Sequence, residues 1–161
     1  MKQISILITI LLFCSYSYCC TCIGETTFKN EYKRSDVVIT GKILDKKVIR
    51  IKDSLMPLIK IQKAEYTIQI TRVYKGKIKN SIIKLITGLG SGDCGFGFNV
   101  GNEYIIYCTY ENKYYEQGEI VNKFLYTDIC RRTRLSNDKE ELKLLNKKCK
   151  YKRRVGDDLM R

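Results

Sequence analysis

The 161-residue chain contains no histidine, no tryptophan and a single proline. Without an imidazole, the chain lacks the usual acid–base catalyst, the base of Ser–His and Cys–His pairs, and the commonest protein ligand for zinc. Three acids fall near predicted turns or strand ends, Asp93, Glu103 and Asp128, but the pattern pairs none of them with a second catalytic group. We therefore predict that the protein is not an enzyme and has no cofactor or metal of its own.

Long apolar runs are also missing, since no segment approaches the roughly 18 consecutive apolar residues of a membrane-spanning helix. The apolar stretch Ile4 to Phe13 is shorter, follows Lys2, and precedes the small residues Ser15 and Ser17. This is the pattern of a secretory signal. We predict that residues 1–19 are a signal peptide, that there is no transmembrane segment, and that the product is secreted and extracellular, or periplasmic or at the cell surface in a bacterium.

Cysteine is abundant, with eight residues in the chain. A cut after Cys19 leaves six, whereas a cut after Ser17 leaves seven and strands one thiol. Even parity favours the cut before Cys20, because disulfides form in exported proteins. Acylation of Cys19 or Cys20 is a weaker alternative, because Tyr16 to Tyr18 lack the usual residues of a lipidation signal. Six cysteines allow 15 pairings, among which spacing alone cannot choose.

Positive charge is in excess, with a formal net charge of +13 at pH 7. Such a charge attracts acidic polysaccharides or cell-surface polyanions, but scattered lysines are also typical of an ordinary solvated surface. The one dense cluster lies within residues 147–154, near the C-terminus. The exported product and the absence of interleaved basic and aromatic residues on any one strand argue against nucleic acid as a partner.

Hydrophobic periodicity predicts five strands, at residues 37–44, 59–71, 81–87, 103–110 and 119–130. Helices are predicted at residues 25–34 and 137–148, with Asn137 as the cap of the second. Gly41, in the middle of the first strand, indicates a bulge or sharp bend. The fold class is therefore mainly β: a disulfide-stapled, five-stranded, OB-like closed β-barrel with a short N-terminal helix and a C-terminal helix. The domain spans residues 20–149, and a basic tail follows at 150–161.

Glycine is concentrated between residues 88 and 97, around Asp93 and Cys94. Glycine permits positive φ and close approach of another backbone. The segment lacks the phosphate-binding pattern G-x-x-x-x-G-K-[ST], and no helical pattern follows it. We therefore predict a long loop tied down by Cys94 rather than a nucleotide site.

Several of these pieces together resemble a known family. They are Cys20-Thr21-Cys22, Ser35 to Ile39, Val73 to Gly76, Cys94-Gly95, Tyr104 to Ile106, and Cys130. In this order the chain resembles the N-terminal, netrin-like domain of the tissue inhibitors of metalloproteinases, in a single-domain form.

The resemblance implies both a disulfide pattern and a mechanism. It implies the bridges Cys20–Cys94 and Cys22–Cys130, and a first residue, Cys20, whose amine and carbonyl cap the zinc of a target protease. The side chain of Thr21 would enter the protease's specificity pocket. Gly92 and Asp93 would contact the protease beside Cys20 and Cys22.

The sequence departs from the family at the third bridge, where Lys33 occupies the place of a half-cystine. For the remaining pair we predict a Cys108–Cys149 bridge, with two unpaired buried thiols as the alternative.

The leading functional prediction is a secreted, monomeric inhibitor of zinc metalloproteases. The alternative is a non-inhibitory netrin-like module that binds acidic polymers or a protein partner. In that case the Cys20-to-Cys22 segment would be purely structural.

Overall fold

The computed structural model describes residues 20, 22, 26–52, 60–90, 92–111, 114–116, 119–121 and 124–158. The predicted signal peptide at residues 1–19 and the first residue of the predicted strand at 59–71 lie outside this part of the chain. The elements in chain order are α1 (Phe28–Arg34), β1 (Val37–Lys52), β2 (Lys60–Lys75), β3 (Ile82–Thr87), β4 (Glu103–Glu111), β5 (Tyr114–Glu116), β6 (Glu119–Val121), β7 (Phe124–Tyr126), β8 (Arg134–Leu135) and α2 (Lys139–Asp158). The prediction of a mainly β protein is confirmed. Within the described ranges, neither helix has the length and apolar character needed to cross a bilayer.

Five strands form a ring in the order β1, β2, β3, β7, β4 and back to β1. All pairings in the ring are antiparallel except that between β3 and β7, which is parallel. The first half of β1 pairs with β2 along one edge and with β4 along the other, so it closes the ring.

The bend predicted at Gly41 is confirmed, because the register between β1 and β2 shifts between Thr40 and Gly41. A Cβ atom at Gly41 would lie 2.6 Å from Cγ2 of Ile68 and 3.0 Å from the carbonyl oxygen of Gln69. Glycine thus allows β2 to approach β1 closely where β1 bends to reach β4.

Side chains alternate across the ring, as the two-residue period of strands requires. On β4, Tyr104, Ile106 and Cys108 face inward and Ile105 and Tyr107 face outward. The buried members of the inner cluster are Val37, Ile39, Ile43, Ala64, Tyr66, Ile68, Leu85, Phe98, Tyr104, Ile106, Cys108 and Leu125.

The two helices cover the outward face of β1 and β4. Tyr32 of α1 and Leu145 of α2 pack with Val38, Ile105 and Tyr107 in a second buried cluster. This cluster lies on the opposite side of the sheet from the inner one, so β1 and β4 are covered on both faces where the helices lie.

Both helices differ from the prediction at their ends. Thr27 caps α1 by accepting a hydrogen bond from the backbone N–H of Asn30, at 3.3 Å. The predicted cap of α2 at Asn137 is wrong, because Asp138 accepts the backbone N–H of Glu141 at 3.0 Å. The helix then continues to Asp158, through most of the predicted tail, because the sequence from Lys147 contains no glycine or proline before Gly156.

The predicted strand at 119–130 is divided in two. Its first part, β6, forms a hairpin with β5, and that hairpin pairs with β1 where Lys52 lies opposite Tyr115. Its second part, β7, closes the ring between β3 and β4. The end of β1 extends beyond its pairing with β4, and the hairpin joins it there through Lys52, a division that local periodicity cannot reveal.

The predicted Cys108–Cys149 bridge is wrong, because both cysteines are free thiols. Cys108 faces the interior of the ring, whereas Cys149 packs with the outer cluster, so the sheet separates the two sulfurs. Complete burial raises the pKa of Cys108 to about 12, although the charge of Arg131 opposes the shift. The Sγ atom of Cys149 lies 3.7 Å from the carbonyl oxygen of Tyr74 and is half-buried.

Thiol labelling distinguishes the two free cysteines from a third bridge. We expect a neutral alkylating reagent at pH 8 to label the native exported protein once, at Cys149, because Cys108 is buried and protonated. Denaturation without reductant should reveal the second thiol, as measured by intact mass. A Cys149→Ser variant, which should take no label when native, is the control. Absence of both labels after denaturation would mean that a bridge joins the pair.

Candidate functional site

The N-terminal segment is fixed by two disulfides whose first cysteines are one residue apart. Cys20 is bonded to Cys94 and Cys22 to Cys130, with Cα–Cα distances of 5.5 and 5.3 Å. These are the pairings that the family resemblance implied. Thr21, between the two, lies outside the described residues.

The first anchor, Cys94, belongs to a loop that is organised by the carboxylate of Asp93. Its oxygens accept the backbone N–H groups of Leu89 at 2.8 Å, Gly90 at 2.9 Å and Gly95 at 3.3 Å. Lys63 of β2 places its ammonium 3.5 Å from the same carboxylate. Partial burial by itself raises the pKa of Asp93, but the hydrogen bonds and Lys63 outweigh it, and the net pKa is below the ordinary value. The contact between Asp93 and a protease, which the family resemblance implied, stays a prediction; within the chain, the carboxylate holds the loop together.

The same loop requires glycine at two places, one beside another backbone segment and one beside the carboxylate of Asp93. A Cβ atom at Gly95 would lie 2.1 Å from the carbonyl carbon and oxygen of Gly88. One at Gly88 would lie 2.4 Å from Oδ1 of Asp93. Cys94 has a φ of +56°, in the left-handed region, and its neighbour Gly92 has a φ of +91° and is exposed. The glycine-rich segment is therefore a tight loop around an aspartate, which positions the sulfur of Cys94.

The second anchor, Cys130, lies in a turn that is hydrogen-bonded to the first. The backbone N–H of Ile129 donates to the carbonyl oxygen of Cys94 at 3.0 Å. Within the turn, the Oδ1 atom of Asp128 accepts the N–H of Cys130 at 2.8 Å. The two disulfide anchors therefore form one connected surface, on which Cys20 and Cys22 are held side by side.

The sequence was compared with models of known protein families. The family model described as "Tissue inhibitor of metalloproteinase" matches residues 18–141. The chain belongs to the tissue inhibitor of metalloproteinase family. A search of curated proteins found no significant match. Members of the family are secreted inhibitors that bind metalloproteinases and are not enzymes. In the part of this family member that the structure describes, no group of three or more His, Cys, Asp or Glu residues could hold a metal ion.

Arginine side chains connect the Cys130 turn to the N-terminal segment. The carbonyl oxygen of Cys130 accepts hydrogen bonds from Nη2 of Arg34 at 2.8 Å and from Oγ1 of Thr26 at 3.3 Å. Arg132 donates from Nη1 to the carbonyl oxygen of Thr26 at 2.8 Å. The chain that leaves Cys22 is thus held at residue 26 as well as by the disulfides.

Two buried carboxylates hold these arginines in place. Glu31 of α1 is fully buried and pairs with Arg34 and Arg131. Glu141 of α2, 1% exposed, pairs with Arg132. A buried carboxylate is costly unless it is paired and hydrogen-bonded, so each must keep its arginine.

Glu141 is contacted by a tyrosine as well as by Arg132. The hydroxyl of Tyr107 donates to Oε1 of Glu141. Burial raises the pKa of Tyr107 far above the ordinary tyrosine value, and the hydrogen bond to Glu141 adds to the shift. The hydrogen bond from Arg132 to Glu141 raises the pKa of the guanidinium as well. Both groups are protonated at neutral pH even at their ordinary pKa values, and the shifts extend that state to higher pH.

These arginines were not predicted from the sequence, although a signal was present. Glu31 lies three residues after Phe28 and next to Tyr32, and Glu141 lies four residues before Leu145. Both acids therefore fall on inward-facing positions of their helices, where a carboxylate needs a cation. The Arg131-Arg132 pair directly after Cys130 was the obvious candidate.

Substitution at Gly95 tests the tight loop. We expect Gly95→Ala to lower the free energy of unfolding by about 2 kcal/mol or more, because the new methyl group would meet backbone atoms that cannot rotate away. Gly97→Ala is the matched control, since nothing lies within 4 Å of its Cβ position. Denaturant titration with intact disulfides is the measurement. Equal effects of the two variants would contradict the close crossing.

Acid titration tests the role of Asp93. Because its pKa is lowered in the folded state, its contribution to stability is complete above the unfolded value of about 3.9 and is lost as pH falls through the folded value. We expect Asp93→Asn to be less stable than wild type by about 1 kcal/mol at pH 7, with the difference shrinking as the pH falls below the unfolded value of Asp93 and through its lower folded value. Asp45→Asn, an exposed position on β1, is the control. A pH-independent difference would show that the carboxylate's charge is not involved.

Proposed function

We propose that the protein is a secreted inhibitor of zinc metalloendopeptidases, in which Cys20 is the first residue after removal of residues 1–19. The α-amine and carbonyl oxygen of Cys20 cap the protease zinc, and Thr21 enters the specificity pocket. The observation that carries the proposal is the pair of disulfides one residue apart, Cys20–Cys94 and Cys22–Cys130.

The chemistry of the chain's first residue suits a protease zinc. An amine and the carbonyl oxygen of the same residue chelate a metal through a five-membered ring, and a catalytic zinc keeps one position open for water or substrate. The amine must be neutral to bind, and the pKa of a free α-amine is about 7.7–8.0. Inhibition is therefore expected to strengthen as pH rises towards 8. The protein itself needs no cofactor, since the zinc belongs to the target.

Rigidity favours tight binding, because little conformational entropy remains to be lost when the segment docks. The disulfides fix residues 20 and 22, and the hydrogen bond from Ile129 to Cys94 ties their anchors together. Gly92 is exposed beside this surface and can approach a protease backbone closely. In this proposal Asp93 acts mainly by holding the loop, through its bonds to Leu89, Gly90 and Gly95.

The short hydroxyl side chain of Thr21 fills only the mouth of a specificity pocket, so we propose modest selectivity among proteases. We further propose that the five-stranded ring is an OB-like barrel, that residues 20–149 are the complete netrin-like inhibitory unit, and that the protein acts as a monomer.

An added N-terminal residue tests the mechanism. A variant with one alanine inserted between Cys19 and Cys20, and with its N-terminus verified by intact mass, should lose at least 100-fold in inhibition of a metalloendopeptidase. The extra residue converts the amine of Cys20 into an amide, which cannot chelate zinc. The wild-type exported protein should begin at Cys20 and inhibit.

The control carries one extra alanine after Arg161 and has the same mass as the test variant. It should inhibit like the wild type. Undiminished inhibition by the N-terminally extended form would exclude chelation by Cys20. Failure of a correctly processed, disulfide-bonded wild type to inhibit any metalloendopeptidase would exclude the function itself and favour a non-inhibitory binding module.

A further inference from the structure

A groove lies away from the Cys20–Cys22 segment, between α1, the end of β2 and α2. Its volume is about 440 Å³, within the range of about 300–1,000 Å³ that ligand sites occupy. Six residues line it: Phe28, Lys29, Tyr32, Lys33, Lys75 and Lys148. We call it the lysine groove.

The charged side chains that line the lysine groove are all lysines. Lys29, Lys33 and Lys148 are exposed, and among the described residues none of them takes part in an ion pair with an acid. The nearest buried acid on α1, Glu31, is occupied by Arg34 and Arg131. Several lysine ammonium groups in one groove raise the local positive electrostatic potential. A bound anion would reduce the repulsion between these ammonium groups.

Lys75 gives the groove a fixed cation at its base. Its ammonium donates hydrogen bonds to the carbonyl oxygens of Tyr32 at 2.7 Å and Lys33 at 3.0 Å, and also to that of Ser35. These carbonyls are at the C-terminal end of α1, where a cation is favoured by the helix dipole. The charge of Lys75 is therefore held in position at the end of α1 by three backbone carbonyl groups.

Aromatic rings supply an apolar wall beside the lysines. The rings of Phe28 and Tyr32 lie with centroids 5.7 Å apart. The ammonium groups of Lys75 and Lys148 are 5.3 and 5.9 Å from the centroid of the Tyr32 ring. A ligand of the groove therefore meets the half-buried ring of Phe28 and the lysine ammonium groups together, which suits a ring-shaped molecule that carries negative groups.

We propose that the lysine groove binds an acidic polysaccharide, through a sugar unit that bears sulfate or carboxylate groups. The sugar ring packs on the half-buried ring of Phe28, which the buried Tyr32 supports from behind, and its anionic groups contact Lys29, Lys33 and Lys148. The ligand is polymeric because these three lysines come from both helices and the groove is open, so that a chain can continue across it. This binding would hold an exported inhibitor at a surface or matrix without involving the Cys20 end.

Binding of a heparin hexasaccharide at 150 mM salt, measured by calorimetry on the exported protein, tests the proposal. We expect the triple variant Lys29→Ala/Lys33→Ala/Lys148→Ala to lose at least tenfold in affinity and to retain its inhibitory activity. The control Lys42→Ala/Lys47→Ala/Lys139→Ala removes the same charge from exposed positions outside the groove and should lose less than threefold.

A second variant separates the groove from simple charge attraction. Phe28→Leu keeps the net charge and an apolar side chain but removes one ring, and we expect it to lose about threefold in affinity. Equal losses in the two triple variants would overturn the proposal, since binding would then depend on net charge alone. So would full competition by inorganic sulfate at matched sulfate concentration, or equally tight binding of anionic lipid vesicles with the same pattern of variants.

Discussion

The structure depends on one strand that pairs along both edges. The first half of β1 is bonded to β2 and to β4, and this double pairing turns a sheet into a ring. It requires β1 to bend, and the bend requires the absence of a side chain at Gly41, where Ile68 and the backbone of Gln69 occupy the space. The ring in turn separates an inner cluster from an outer one, and the outer cluster is where both helices attach.

The candidate site is placed on this scaffold by interactions that reinforce one another. The carboxylate of Asp93 shapes the loop that carries Cys94, and the carbonyl of Cys94 accepts the N–H of Ile129 in the turn before Cys130. The two disulfides then fix the positions of Cys20 and Cys22 relative to this loop and turn. A segment at the very start of a domain would otherwise be poorly ordered. The site is therefore as rigid as the two anchors are.

The region around α1 and α2 shows what this chain uses in place of a third bridge. Buried carboxylates, Glu31 and Glu141, pair with arginines that follow Cys130, and these pairs link both helices to the turn. Lys33, where the family resemblance implied a half-cystine, lines the lysine groove together with Lys148. Cys149, the cysteine left without that partner, remains a free thiol against Tyr74.

By itself, the sequence determined the mainly β class, the approximate positions of most elements, the bend at Gly41 and the family, because each depends on local periodicity, on glycine or on ordered short motifs. Residue spacing could not determine the partners of the cysteines; only the family resemblance indicated two of the bridges. Tertiary structure alone decided that Cys108 and Cys149 lie on opposite faces of the sheet. It also decided that residues 119–130 divide between two strand pairings, and that the carboxylate of Asp93 accepts hydrogen bonds from the backbone of its own loop. It also decided which arginines neutralise Glu31 and Glu141. These outcomes depend on residues that are distant in the chain and meet only when the ring closes, so no local pattern carries them.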